Sequence, residues 1–155
     1  MDKLIYLTKG KVTVVDEDDY EELSKYKWYY HKGYAVRMLP PDEDKKRKML
    51  FMHIQIIGKV DGLQTDHINR DGLDNRKDNL RHATASQNQW NQGPRKGTSK
   101  YKGVSWSKIE NQWCSQIQAN KKIIIGYFDS ETDAAKAYDE KSKELFGDFA
   151  YLNGE

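Results

Sequence analysis

With 155 residues, of which 37% are hydrophobic and 32% charged, the chain has material for one ordinary domain or two small ones, each with a modest core. Its one cysteine, Cys114, excludes an internal disulfide and any zinc site built on several cysteines. No stretch reads as a membrane span or a signal peptide, and a net charge of only +2 means that any electropositive surface must come from uneven distribution.

In chain order, Leu4 to Thr8 and Lys11 to Val15 read as two short strands about Lys9-Gly10. Asp16 to Tyr26 opens with cap-like acids and then carries Tyr20, Leu23 and Tyr26 at helical spacing. Trp28 to His31 and Tyr34 to Leu39 flank Lys32-Gly33, a hairpin signal. Pro40 to Lys48 is a charged loop ending in KKRK, either a solvated hairpin tip or a phosphate contact. Met49 to Gly58 reads as a strand and then a helix, with His53 as a structural residue. Gln64 to His67 ends a strand, a turn-rich loop follows, Leu80 to Thr84 returns as a strand with His82 on its surface, and Ser86 to Asn91 opens a helix.

Gln92 to Ser99 (QGPRKGTS) has the composition of a linker. Three strand-like runs follow, Gly103 to Ser107, Trp113 to Ala119 and Ile123 to Phe128. Ser130, with Asp133 in the place of the usual Glu of a capping box, then introduces a helix through Phe146. Charge divides unevenly here. Arg95, Lys96, Lys100, Lys102, Lys108, Lys121 and Lys122 are set against Glu110, whereas Asp129, Glu131, Asp133, Asp139, Glu140, Glu144 and Asp148 dominate after Gly126. A basic sheet backed by an acidic helix would have one electropositive face.

The stretch from Thr65 to Asn91 is crowded with Asp and Asn around two histidines. It is compatible with a surface loop of Asx turns, and also with a hard-cation site. The strand–loop–strand–helix order could bring Asp66 and Asn88 to one Mg²⁺-type ion, which prefers oxygen ligands and keeps several waters. His67 could then take a proton from water, since imidazole titrates near neutrality. Such a set suits phosphodiester hydrolysis.

DHINRDGLDNRKDNLRHATASQNQWN resembles the HNH homing endonucleases in the variant whose third motif position is Asn, with Asp66-His67, Asn79-Leu80-Arg81 and Asn88 in matching order. Met52 to Gly58 is similar to the helix those proteins carry before the motif. The resemblance implies His67 as general base, Asp66 and Asn88 as ligands of Mg²⁺ or Mn²⁺, and Asn79 as the loop brace that orients the histidine. Asn88 in the place of His disfavours zinc or nickel. Arg81 is a candidate phosphate contact or a salt-bridge partner, while Asn75 and Asn91 are expected in capping or solvated loop roles. Residues 1 to 48 resemble the strand-rich leader of phage-type HNH proteins.

Ser99 to Asn153 resembles the AP2/ERF DNA-binding domain through YKGV, the Trp113 strand, IGYFDS, AAKAYDE and a terminal LN. The resemblance implies a three-stranded antiparallel sheet on one helix, with the sheet laid in the major groove. The positions matching the family's DNA-facing places are Lys102, Ser105, Ser107, Gln116, Gln118, Lys122 and Ile124. Ser105, Ser107, Gln118 and Ile124 depart from the usual Arg or Trp, so the plant family's target does not transfer. Trp113 is expected in the core, and Tyr138 either packs helix to sheet or touches the DNA backbone.

The expectation is therefore an α+β protein: a leader (1–48), a ββα-metal HNH nuclease core (49–92), a linker (93–98) and an AP2-like domain (99–155). It would cut double-stranded DNA with Mg²⁺ or Mn²⁺ as a monomer or weak dimer in the cytoplasm of a bacterial host, with no membrane and no small-molecule cofactor. The alternatives are a non-catalytic DNA-binding regulator on an HNH-derived scaffold, or an RNA-binding protein, because basic sheets with aromatics also bind single strands.

Overall fold

The computed structural model describes residues 1–41, 43 and 45–154. Asp42 and Asp44, within the charged loop expected at Pro40–Lys48, lie outside the described residues, as does Glu155. The chain divides into two compact units, Met1–Ala85 and Ser86–Glu155.

In the first unit, β1 (Asp2–Tyr6) and β2 (Val12–Asp16) pair antiparallel, with Asp2 opposite Asp16 and Tyr6 opposite Val12. The reversal is made by Lys9 and Gly10, both at positive φ. Helix α1 (Glu17–Leu23) starts with three acids, which favour a helix N-terminus. Strands β3 (Tyr29–His31), β4 (Tyr34–Met38) and β5 (Met49–Phe51) form an antiparallel sheet in that order, and α2 (Met52–Ile57) follows directly. Strands β6 (Gln64–His67) and β7 (Leu80–Ala83) make a separate pair.

Ile5, Leu7, Val15, Leu23, Trp28, Ala35 and Met52 form one core cluster, with Tyr30, Ile56 and Leu73 packed against it. Trp28 is nearly sealed, and its indole N–H donates to the Leu23 carbonyl at 2.8 Å, so its burial leaves no orphan donor. Each such apolar side chain contributes about 1.5–3 kcal/mol on burial. The cluster runs across the boundary expected at residue 48. A 48-residue leader buries too little surface to stand alone, and here it completes its core with Met52, Ile56 and Leu73.

The second unit takes in α3 (Ala85–Asn91) from Ser86 onward. Strands β8 (Val104–Ser107), β9 (Gln112–Gln118) and β10 (Lys122–Phe128) form an antiparallel sheet in the order β10-β9-β8, with a register shift between Ile124 and Gly126. Helix α4 (Glu131–Phe146) is capped by the Ser130 hydroxyl, which accepts from the Asp133 amide at 3.3 Å. Val104, Ala134 and Ala135 pack with Tyr101, Trp113 and Phe128, while Ile117, Tyr138 and Phe146 pack with Trp90, Ile123 and Ile125. The helix's small residues bring it close to the sheet, and Tyr138, only 2% exposed, belongs to that packing.

The stretch Gln92–Ser99 falls inside this unit and does not bound it. Trp90 stacks on Phe146 at 4.2 Å, and the Lys102 ammonium donates to the carbonyls of Gln89, Trp90 and Gln92 at 3.2, 2.6 and 2.6 Å. The Gln89 carbonyl also accepts from the Gln92 amide at 3.3 Å, and the Lys102 cation meets the negative end of the helix.

Candidate active site

Asp66 and His67 end β6 and are both buried, 4% and 7% exposed. Asp66 lies opposite Arg81 in the β6–β7 register, and directly opposed residues share a face. The Arg81 Nε accordingly donates to Asp66 Oδ2 at 2.8 Å. Of the two roles open to Arg81, the structure displays the ion pair.

His67 is tied to β2 through Asn75, a side chain of the loop that follows β6. Its Nε2 is 3.2 Å from Asn75 Oδ1. The Asn75 amide nitrogen donates to Thr13 Oγ1 at 2.8 Å, and that hydroxyl donates to the Leu73 carbonyl at 2.7 Å. Thr13 has one hydrogen to give, so toward Asn75 it can only accept. The amide therefore turns its NH₂ to Thr13 and its oxygen to His67. His67 must then carry its hydrogen on Nε2, which leaves the lone pair on Nδ1. Asn75 is wholly buried, and Asn91 is 3% exposed, so neither stands in the solvated loop place, one of the two expected of it.

The loop between the strands is held along its whole length. Asn79 donates from its amide to Asn69 Oδ1 at 2.9 Å and to the Asp74 carbonyl at 2.8 Å, and its own Oδ1 accepts from the Asn69 amide at 2.9 Å. Asp74 receives Arg76 through Nε at 2.8 Å and Nη2 at 2.6 Å, and this pairing holds its carboxyl below the usual range. Strand β2 ties in from the side: the Val14 amide donates to the Leu73 carbonyl and the Asn75 amide to the Val14 carbonyl. The segment expected to be a leader thus supports the loop beside His67.

An aromatic wall lines the histidine. The His53 ring meets it edge-on at 5.1 Å, Tyr34 lies at 5.8 Å, and Phe51 stacks on His53 at 5.2 Å. Burial pushes the His67 pKa down, partly offset by the Asn75 hydrogen bond and by the carboxylates of Asp66, Asp71 and Asp74. Burial, with His67 as neighbour, lowers His53 to about 4. Both rings are therefore neutral at physiological pH, the form a base requires. His82 lies half-buried, its Nε2 3.2 Å from the Ile57 carbonyl.

As to a metal, the described residues contain no group of three or more His, Cys, Asp or Glu able to hold one. That donor chemistry does not fit a soft or tetrahedral site. Asp66 offers one buried carboxylate, a donor of the kind that Mg²⁺ takes together with waters and substrate oxygens. Asn88, the amide expected to join Asp66, stands on α3.

In the second unit, Val104, Trp113, Ile117, Ile123 and Ile125 face α4. By the period-2 alternation of strands and the cross-strand pairs Ser105–Cys114, Ser107–Gln112, Gln116–Ile124 and Gln118–Lys122, the other sheet face carries Ser105, Ser107, Gln116, Gln118, Lys122 and Ile124. Cys114 is also on this face yet buried. Lys102 is the exception in the expected set, its ammonium being committed to the end of α3.

The family profile of HNH endonucleases matches residues 54–90. The chain is similar to a putative dehydration-responsive element-binding protein of Arabidopsis thaliana, 39% identical over 67 residues, covering 39% of this chain and 40% of that protein. It is similar to protein 3.8 of Escherichia phage T7, 40% identical over 62 residues, covering 39% of this chain and 51% of that protein. An uncharacterized HNH endonuclease of Acanthamoeba polyphaga mimivirus is 34% identical over 161 aligned positions, which cover 99% of this chain and 83% of the relative. On that near full-length match, and on the profile that spans β6, β7 and most of α2 and α3, the chain belongs to the HNH endonuclease family.

Proposed function

We propose that the protein is a divalent-metal-dependent DNA endonuclease of homing type, in which a ββα-metal core of β6, β7 and α3 hydrolyses phosphodiester bonds of duplex DNA and the second unit, AP2-like, selects the site. The observation that carries this is the fixed tautomer of His67, whose Nε2 is held by Asn75 so that Nδ1 presents the lone pair. Nδ1 takes a proton from water, the resulting hydroxide attacks the phosphorus, and the bond to the leaving oxygen breaks. Asp66 and, by motif position, Asn88 would hold Mg²⁺ or Mn²⁺, which supplies charge stabilisation on the phosphate and the leaving oxygen when bound. Asn79 keeps the loop closed, so that His67 stays aimed. Arg81 orients the Asp66 carboxylate through its Nε hydrogen bond.

Purified protein should nick or cut plasmid DNA with Mg²⁺ or Mn²⁺ and stop in EDTA. His67→Ala should lower the single-turnover rate by about 10²–10⁴-fold, the range for losing a general base, with duplex affinity nearly unchanged. Equal cutting in EDTA, or full activity in His67→Ala, would sink the assignment.

A further inference from the structure

A second feature of the first unit lies one turn from His67. An open cleft of about 340 Å³ is lined by Lys11, Lys32 and Arg70, with Tyr30, Tyr34 and Gly72 among its walls. These residues come from three places: the β1–β2 turn, the tip of the β3–β4 hairpin and the loop after β6. Arg70 sits close to the base, since its amide donates to the His67 carbonyl at 2.9 Å. Tyr34 belongs to both sites, lining the cleft and lying 5.8 Å from the His67 ring.

The backbone at this cleft is unusual in what it tolerates. Lys32 has φ 47° and Arg70 has φ 69°, the left-handed region that favours Gly and Asn. Lys32 with Gly33 gives positive φ at both central positions of the hairpin turn, the pattern for which Asn-Gly or Asp-Gly is preferred. Two positions where the turn itself would choose a small or amide residue thus carry cations instead, and both line one cleft. The cleft walls are also held firmly. A Cβ on Gly72 would lie 2.5 Å from the Gly33 carbonyl and 2.7 Å from the Tyr34 ring, so the loop and the hairpin tip meet backbone to backbone.

Cations outnumber acids along the cleft, three to one. Lys11 and Lys32 form no ion pair among the described residues; Lys11 instead lies over the Tyr30 ring at 5.9 Å. The acid of the cleft, Asp71, has its Oδ1 engaged by the Leu73 amide at 2.9 Å. A cleft open to solvent, lined by cations and aromatic edges, suits a phosphodiester running across the surface better than an enclosed small ligand.

We propose that Lys11, Lys32 and Arg70 form a binding site for a backbone phosphate of the DNA strand being cut, next to the phosphate at which His67 acts. The site fixes the strand's register on the catalytic unit without reading bases. This rests on the nuclease reading above and adds to it where the strand runs.

The test uses the full chain with Lys32→Asn, Arg70→Asn and both together. Asn accepts left-handed backbone, so a purely structural role predicts no more than a change in stability. The expected results are melting temperatures equal to or above the parent and weaker binding to duplex DNA in EDTA. The salt slope should be flatter by about 0.9 for each cation removed, because each neutralised phosphate releases counterions. Single-turnover cutting at saturating DNA with Mg²⁺ should stay within about threefold of the parent, so that the loss lies in binding. Inorganic phosphate at matched ionic strength should compete with DNA no better than chloride. A double variant with an unchanged salt slope overturns the proposal while leaving the nuclease reading standing, provided the parent binds and cuts. Phosphate competition that exceeds chloride and disappears in the double variant assigns the cleft to a free phosphate and overturns the strand. A parent that binds no duplex overturns both readings.

Discussion

An imidazole works as a base only through the nitrogen that lacks hydrogen, and in this protein one backbone carbonyl and two side chains make that choice. Leu73's carbonyl orients Thr13, Thr13 orients the Asn75 amide, and Asn75 fixes the hydrogen of His67 on Nε2. The acid limb of cleavage should follow. The base must be neutral to act, and burial lowers the His67 pKa below its ordinary value of 6.5. Activity should therefore hold as pH falls through 6.5 and drop only below it, as measured by single-turnover rates on preformed complex. Asn75→Ala removes a hydrogen bond that raises this pKa, so its acid limb should move further down. Its plateau rate should also fall, because the tautomer is no longer imposed. An inflection above pH 7 in the parent, or a full plateau rate in Asn75→Ala, would contradict the assignment. None of this was legible in the sequence. Asn75 sits in a run of Asp and Asn whose members look alike on paper, and its partner Thr13 is 62 residues away.

At the scale of elements the sequence said more, because alternation and capping are local. The strands of the second unit, the Ser130 cap and the helix through Phe146 all stand within a residue or two of where period and cap chemistry put them. What local pattern could not supply was why YKGV and the terminal LN go together. Asn153 accepts from the Lys102 amide at 2.7 Å and donates to the Lys102 carbonyl at 3.2 Å, while Asp139 of α4 accepts from the Asn153 amide at 2.8 Å. The chain end, the helix and the start of β8 are joined by these bonds. Gly103 follows directly, at φ +76°, where a Cβ would fall 2.0 Å from the Tyr138 ring and 2.6 Å from the Gln116 carbonyl. Both are packed and cannot move aside. Gly103→Ala should therefore destabilise the second unit by at least about 2–3 kcal/mol, combining backbone strain with overpacking. Its melting, followed by the fluorescence of Trp106 and Trp113, should shift down by several degrees or more. An unshifted transition would mean that helix and sheet are less tightly joined than the geometry requires.

At the scale of the whole molecule, composition suggested one domain or two small ones, and two compact units are present, but their boundary lies at Ala85 and not in the Gly- and Pro-containing stretch after Gln92. Across that stretch Lys102, ten residues beyond Gln92, reaches back to the end of α3 and Trp90 stacks on Phe146, contacts that no local signal announces. This bears on how the proposed targeting role is tested. Deleting residues 99 to 155 removes Phe146 and Lys102 and so strips the support from α3, which carries Asn88. Lost cutting would then not separate targeting from chemistry. Substitutions on the open sheet face keep every contact of the core. Lys122→Ala should flatten the salt slope of binding by about 0.9 if it meets a phosphate. Gln116→Ala should cost roughly 1–3 kcal/mol at the preferred site if its amide pairs with a base edge, and little elsewhere. Mapped on a long DNA, the double variant should spread its cuts over many positions while its total rate on non-specific duplex stays near the parent's. Cuts that remain at the same position with the same efficiency would show that the open face does not choose the site.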